Sequence, residues 1–469
     1  MPDSLSISFQ GAARTVTGSR HLLRFGQRSW LFDCGLYQGH RDEAERVNRT
    51  FRLDPAELDA VVLSHAHLDH TGNLPTLVSQ GFHGSIHATP ATADLCRVML
   101  PDSAFLMERD IEHVNRQGGR GRPQRRPLYT MADVEATLSR LQVHGYHEPW
   151  ELFDGVRVQY HDAGHILGSA LTTFEIRSGG RTLRLGMSGD VGRPDRPILR
   201  DPEIHPGVDA LVTESTYGNR LHPDAMENER LLAEAVVRTA ARRGRVLVPA
   251  FAVGRTQELV ATLHVLCERG RVPDLPIFVD SPLASHATEV FVRHPECFDA
   301  ETSRRFESEH GAPFGFKRLR FVPSAEESRA LTERRDPCII ISASGMCEGG
   351  RILHHLQHGL GDARNTVLFV GFQAEGTLGR RLRDGAEVVS LFGEPVRRRA
   401  EVVALDGFSA HADQRELVDW AARLAPAPRR VFLVHGELEP AGVLAEKLKQ
   451  RVDAEVRIPT LGEEFDLWS

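Results

Sequence analysis

The chain has 469 residues, 41% of them hydrophobic and 26% charged, with a net charge of −7. That length exceeds one ordinary hydrophobic core and predicts two domains of a globular, water-soluble protein. No apolar run is long enough to cross a bilayer, and the acidic balance excludes a protein that coats nucleic acid through its overall charge, so any such contact must rest on a local basic patch.

Short strands are predicted at residues 5–9, 21–25 and 30–33, bounded by glycine and polar residues. A further strand at 58–64 runs into a cluster of histidines, and 71–79 reads as a helix. A mostly helical insert covers 92–141, interrupted by an arginine-glycine segment at 116–126 that is one candidate basic patch. Strands return at 156–161, 171–176 and 182–188. From about Pro206 the pattern changes to strand–turn–helix units: 245–249 into 256–267, 276–280 into 284–294, 337–343 into 350–357, and 366–370 into 376–383. Apolar strands alternating with helices imply a parallel sheet with helices packed on it. A second basic run, Arg397-Arg398-Arg399, precedes single strands at 401–405 and 430–435 with a helix at 413–424 between them. The six cysteines are scattered and never form Cys-x-x-Cys, which argues against disulfides or a thiolate metal site and fits a reducing cytoplasm. The first residues, Met1-Pro2-Asp3-Ser4-Leu5, have no signal-peptide pattern.

The chemistry concentrates where the strand 58–64 ends. Ser64-His65-Ala66-His67-Leu68-Asp69-His70 packs three imidazoles and a carboxylate into six residues. Polar groups at that density next to a buried strand are costly unless something binds them, and imidazole nitrogen with carboxylate oxygen is the ligand set of zinc and its neighbours. A short loop cannot bring all four onto one ion, so the spacing suits two sites. His165 in Asp162-Ala163-Gly164-His165, Asp190 in Ser188-Gly189-Asp190 and His435 in Val434-His435-Gly436-Glu437 all close predicted strands. They complete His65, His67, His165 and Asp190 on one metal, and Asp69, His70, His435 and a shared Asp190 on the other. Two divalent ions, two carboxylates and a bridging hydroxide leave a charge of about +1, which suits a phosphodiester. His83, His87, His144, His147, His161, His354, His355 and His358 have no place in this ordered set and are read as non-ligands.

The order Asp33, His65-x-His67-x-Asp69-His70, His165, Asp190 resembles the metallo-β-lactamase superfamily, and the α/β segment before His435 resembles its β-CASP nuclease branch. Thr213-Glu214-Ser215-Thr216-Tyr217-Gly218, Gly407-Phe408-Ser409-Ala410-His411-Ala412-Asp413 and Val434-His435-Gly436-Glu437 fit the three additional motifs of that branch. The resemblance covers nearly the whole chain and is nearest to bacterial and archaeal relatives of the endonuclease subunit that processes mRNA 3′ ends, here without separate N-terminal KH domains. It implies an α/β fold: a metallo-β-lactamase αββα sandwich (1–208 and 401–469) with an inserted β-CASP α/β domain (209–400). It also implies a cytoplasmic ribonuclease with two Zn²⁺ per chain (Mn²⁺ being an alternative) that cleaves single-stranded RNA by attack of a metal-held hydroxide on phosphorus. The cutting is endonucleolytic with 5′-exonuclease activity as a variant, and a homodimer is one available assembly. The histidine at position 435 is associated in this family with RNA substrates and disfavours a DNA nuclease. His411 then serves as acid or phosphate contact for the departing oxygen, Glu214 orients it, and Asp33 holds a metal-bound histidine. In the α/β segment, the turns 249–257, 342–351 and 371–377 lead from strands into helices, where free N–H groups attract phosphate. Arg255, Ser344 and Gly345 are the expected contacts, and Phe251 and Phe372 are expected to pack in the core rather than stack on bases. The rival functions are a small ester or lactam hydrolase and a non-catalytic RNA-processing scaffold.

Overall fold

Two seven-stranded sheets are assembled from the two ends of the chain. In a computed structural model, which describes residues 3–39, 41–117, 124–308, 314–371 and 373–469, the polypeptide forms two units. The first is Met1–Asp195, Arg200–Leu221 and His411–Ser469, and the second is Arg196–Leu199 and His222–Ala410.

In the first unit, one sheet runs in the order Glu464–Asp466, Leu5–Phe9, His21–Phe25, Arg28–Phe32, Ala60–Val62, Ser85–Ala88, Leu141–Val143. The other runs Glu455–Arg457, Arg430–Val434, Ala210–Glu214, Arg181–Met187, Ala170–Ser178, Val156–Asp162, Trp150–Phe153. Large apolar side chains fill the space between them: Trp30 meets Phe174 at 5.8 Å between ring centroids, and Phe9 meets Phe432 at 5.3 Å. The helices Gln414–Ala422 and Leu438–Lys449 bury Leu417, Leu444 and Leu448 against Leu211, Val431 and Leu433 on the outer face of the second sheet. This is the expected αββα sandwich. Its topology decides where the site sits. Arg181–Met187, Ala210–Glu214 and Arg430–Val434 pair in parallel, so their carboxyl ends emerge on one edge. Arg28–Phe32 and Ala60–Val62 do the same in the first sheet.

The second unit is a six-stranded, all-parallel sheet in the order Leu319–Phe321, Ile277–Val279, Cys338–Ser342, Arg245–Pro249, Thr366–Phe369, Glu401–Ala404. Its central strands, Arg245–Pro249 and Cys338–Ser342, are buried along their whole length and largely apolar, as strands of a parallel sheet are.

The exchange points between the units differ from the expected 209 and 400. Ala210–Glu214 is hydrogen-bonded between two strands of the first unit, and Glu401–Ala404 extends the second unit's sheet beside Thr366–Phe369. Strand pairing, which has no local sequence signature, places both. Ser85–Ala88 and Leu141–Val143 are strands too short for a periodic signal, and the latter begins at the last residue of the segment expected to be mostly helical. The helix Ala225–Ala241 was also not expected. It is capped by the Asp224 carboxylate, and its buried stripe consists largely of small residues. All six cysteines are unpaired. Among the described residues no helix is long and apolar enough to cross a membrane.

One buried carboxyl in this unit makes a pH-dependent contribution. Asp162 ends the strand Val156–Asp162. Its Oδ1 accepts the Gly164 N–H, while its Oδ2 is buried without a partner. Burial, reinforced by Glu203, raises its pKa from 3.8 to about 7. A carboxyl whose folded value is raised favours the folded state fully at low pH, and that advantage is lost as pH climbs from the unfolded to the folded value. We expect Asp162→Asn to be more stable than wild type at pH 8, by on the order of 2–4 kcal/mol, with the difference vanishing near pH 4. Denaturant unfolding across that range is the measurement, and parallel pH profiles for the two proteins would contradict the assignment.

Candidate metal centre

Six strand ends deliver the predicted site residues to one place. Asp33 follows Arg28–Phe32, the histidine cluster follows Ala60–Val62, His165 follows Val156–Asp162, Asp190 follows Arg181–Met187, Glu214 ends Ala210–Glu214 and His435 follows Arg430–Val434. Asp33 (φ 61°) and His435 (φ 47°) adopt left-handed backbone, which few non-glycine residues do and which marks positions held by their surroundings.

The donors fall into two groups. His65, His67, His165 and Asp190 form one, and Asp69, His70 and His435 the other, with the donor atoms of each group within 4.8 Å of one another. In the first, His65 Nε2 stands 3.0 Å from His67 Nδ1, and His165 Nε2 stands 3.4 Å from the same atom. In the second, His70 Nε2 and His435 Nε2 are 3.2 Å apart, with Asp69 Oδ2 3.4 Å from the latter. Asp190 lies between the groups. Its Oδ2 is 3.5 Å from His65 and His165, and its Oδ1 is 3.5 Å from His70 and His435.

Hydrogen bonds behind the rings determine which nitrogens carry protons. His70 Nδ1 lies 2.7 Å from Asp33 Oδ2, an acceptor, so the proton sits there and Nε2 presents a lone pair. Ser64 Oγ donates to Asp33 Oδ2 at 2.9 Å and therefore accepts from His65 Nδ1 at 3.0 Å, turning the His65 Nε2 lone pair inward. Thr216 Oγ1 donates to the His435 carbonyl at 2.8 Å and accepts from its Nδ1 at 3.1 Å, with the same result. Imidazole lone pairs and carboxylate oxygens thus face one another, and the buried Asp190 Oδ1 has no donor. Such a constellation is repulsive unless a cation occupies it, and the nitrogen and oxygen donors fit zinc-like divalent ions. The electrostatics agree. Burial pushes His65 and His165 well down and His67 down to about 4, keeping them neutral. Burial opposes ionisation of Asp69 and Asp190, but the surrounding histidines outweigh it and hold both carboxylates ionised. Burial likewise works against charge on His70, but Asp190 and Asp33 raise it well above its usual value, a demand for positive charge that a metal would satisfy.

Next to this centre, Glu214 is fully buried, accepts the Val191 N–H at 2.7 Å and holds His411 Nδ1 at 2.9 Å. His411 Nδ1 is also 3.8 Å from Asp190 Oδ2. Burial opposes the imidazolium, but Glu214 and then Asp190 prevail and hold its pKa up to about 9. Ser64 and Thr216, which orient two of the ligands between them, were not singled out from sequence. Their signal was adjacency, since each sits in a motif directly beside a predicted site residue.

The expected phosphate contacts lie in the second unit, where the three turns follow neighbouring strands. Ser344 and Gly345 occupy the turn after Cys338–Ser342, and Gly345 packs so closely on Phe251 that a Cβ there would lie 3.0 Å from its ring. Phe251 is 42% exposed, which corrects its expected place in the core: it lies in the turn beyond the strand, where no layer covers it. Phe372 lies outside the described residues. Arg255 is largely buried and bonds Glu258 at 2.7 Å, and the same carboxylate also pairs with Arg196, so one negative charge is shared between two guanidiniums. The start of the helix Leu378–Arg383 is taken by the Glu348 carboxylate, which accepts the Leu378 N–H at 2.6 Å, so this turn does not offer the open N–H groups expected of it. Of the basic runs, Arg398 bonds backbone carbonyls of Ala386 and Ala400, Arg116 pairs with Glu112, and residues 118–123 lie outside the described residues.

Three family descriptions match the chain: the metallo-beta-lactamase superfamily over residues 21–220, the Beta-Casp domain over 256–382, and the Zn-dependent metallo-hydrolase RNA specificity domain over 395–459. The sequence is 40% identical to ribonuclease TTHA0252 of Thermus thermophilus over 455 residues, covering 97% of this chain and 98% of that protein. It is 32% identical to transcription termination factor FttA of Methanosarcina mazei over 462 residues, 96% of this chain and 70% of that one. A crystal structure of a protein of unknown function from Enterococcus faecalis V583 superposes with a TM-score of 0.55 at 14% identity, over 99% of this chain and 100% of the other, a likeness of fold.

The hydrogen bonds of Asp33 generate a test. Asparagine tolerates the left-handed backbone at this position but cannot accept on both sides from His70 and Ser64 as a carboxylate does. Asp33→Asn should keep the fold and weaken zinc binding about 10–100-fold, read by competition with a chromophoric chelator. Unchanged affinity would remove Asp33 from the centre.

Proposed function

The chain belongs to the β-CASP branch of the metallo-β-lactamase superfamily and is a metal-dependent hydrolase of the ribonuclease kind; from that premise we propose that it cleaves single-stranded RNA with two zinc ions per chain. The observation that carries the reading is the convergence of the seven predicted donors, with Asp190 facing both groups and the His411–Glu214 pair beside it. His65, His67, His165 and Asp190 would hold one ion, and Asp69, His70, His435 and Asp190 the other. Bound there, the pair would supply a nucleophile from water at neutral pH and stabilise charge on the phosphate oxygens.

The protein's own groups do the rest. Asp33, Ser64 and Thr216 hold His70, His65 and His435 in the tautomers that turn their lone pairs inward. Water adds to phosphorus, releasing one proton to solvent, as the bond to the departing ribose oxygen breaks, and His411 gives that oxygen a proton from Nε2. Glu214 holds Nδ1 and keeps the imidazolium charged until transfer. The RNA specificity family matches the segment that contains His411 and His435, which supports RNA over DNA. The exposed Phe251 ring, with the Ser344 hydroxyl and the Gly345 backbone beside it, offers a base-stacking and phosphate-binding surface for a single strand.

Labelled single-stranded RNA and DNA of the same sequence, incubated with and without chelator, test the reading. We expect RNA to be cut and DNA spared, no cutting by chelated protein or Asp190→Ala, and a loss of roughly 10²–10⁴-fold for His411→Ala. Mapping product ends distinguishes internal cuts from stepwise 5′ trimming. RNA cleavage that persists in chelator would defeat the mechanism.

A further inference from the structure

The first unit holds another group of ligating side chains, separate from the centre above. His147, His161 and Glu203 bring donor atoms within 4.8 Å of one another. His161 is buried near the end of the strand Val156–Asp162, and Glu203 lies in the segment between Arg181–Met187 and Ala210–Glu214. His147 is exposed, has left-handed backbone (φ 62°), and is tethered to the same strand by its N–H to the Tyr160 carbonyl at 2.9 Å.

A relay of hydrogen bonds decides the protonation of His161. His205 Nδ1 is 2.9 Å from the Pro206 carbonyl oxygen, so that nitrogen carries a proton. With the proton on Nδ1, Nε2 is the acceptor of this ring. That atom is 3.3 Å from Thr173 Oγ1, so the hydroxyl donates to it; its equally long approach to the Thr172 carbonyl joins two acceptors and makes no bond. Thr173 Oγ1 must then accept from its other neighbour, His161 Nε2, at 3.2 Å. With its Nε2 side engaged by Thr173, His161 turns Nδ1 toward Glu203 Oε2 at 3.7 Å. His147 Nε2 approaches the other carboxylate oxygen at 3.1 Å.

A ring nitrogen and a carboxylate oxygen that face each other at 3.7 Å, with a second imidazole nitrogen at 3.1 Å from the same carboxylate, leave room for a cation between them. A charge-assisted hydrogen bond would draw the pair to about 2.7–2.9 Å. Ligands at about 2.0–2.2 Å around tetrahedral zinc stand roughly 3.3–3.5 Å apart, a spacing bracketed by the two contacts. The Thr173 bond behind His161 is also the kind of support that metal-binding histidines receive. We propose that His147 Nε2, His161 Nδ1 and the Glu203 carboxylate form a separate structural site for a zinc-like divalent cation, with its remaining position open to solvent beside His147.

The site has a mechanical consequence. Glu203 donates its N–H to the Asp162 carbonyl and accepts the Trp420 indole N–H on its own carbonyl. The preceding Arg200 carbonyl and Pro202 nitrogen approach Gly164 so closely that a Cβ there would lie 2.6 and 2.8 Å from them. Gly164 adjoins His165. An ion on Glu203 therefore clamps this segment over the turn that positions a ligand of the catalytic centre, without touching that centre.

Titration of the metal-free full chain with zinc chloride against a chromophoric chelator tests the site. His147→Asn, which suits the left-handed backbone, and Glu203→Gln should each bind one zinc equivalent per chain fewer than wild type. Zinc-soaked crystals should show anomalous density between His147 and Glu203. Equal stoichiometry in wild type and both variants, or density at Asp190 but none at His147, would overturn the proposal.

Discussion

The centre rests on one electrostatic constraint: acceptor atoms from four strand ends face one another in a buried space, and only positive charge makes that arrangement stable. The constraint is enforced from behind. Asp33 receives the His70 Nδ1 proton and the Ser64 hydroxyl, and through Ser64 it also determines His65, so one buried carboxylate sets two tautomers. Thr216 does the same for His435. Without these bonds each ring could turn an N–H inward and relieve the repulsion, and the drive to bind a cation would fall. The parallel run of Arg181–Met187, Ala210–Glu214 and Arg430–Val434 supplies the other half of the arrangement, because it stacks Asp190, Glu214 and His435 on one edge.

Charge is divided between neighbouring groups in a way that suits hydrolysis. The first three histidines of the cluster's larger group are kept neutral by burial and serve as ligands, whereas His411, a short distance away, is kept charged by Glu214 and Asp190. Identical side chains thus take opposite states because burial prevails for one set, whereas Glu214 and Asp190 outweigh it for His411. In the second unit the same logic removes one apparent phosphate site, since Glu348 already occupies a helix start, whereas the Glu258 carboxylate is shared between Arg255 and Arg196.

Much of this was legible in the chain. The His-x-His-x-Asp-His run, the glycine-flanked His165 and Asp190, and the strand-closing His435 carry local signatures, since polar residues at the end of an apolar run need a partner. The repeated strand–turn–helix units announced a parallel sheet in the same way. What stayed hidden depends on pairing or on atoms far apart in sequence. Ala210–Glu214 and Glu401–Ala404 were assigned to the wrong units because the edge a strand joins is decided by its neighbours. Phe251 was expected inside because hydrophobicity records side-chain type and not the layer above it. Ser64 and Thr216 are ordinary hydroxyls until folding sets them against an imidazole.

The amino-acid sequence by itself determined which donors exist and their order, because those follow from residue type and spacing, and its family resemblance implied the fold class that could gather them. Tertiary structure alone decided which nitrogen of each ring is a lone pair, which cations are already matched, and that His147, His161 and Glu203 meet at all. The reason is that proton placement and pairing depend on three-dimensional neighbours, and 42 residues separate His161 from Glu203 along the chain (203 − 161).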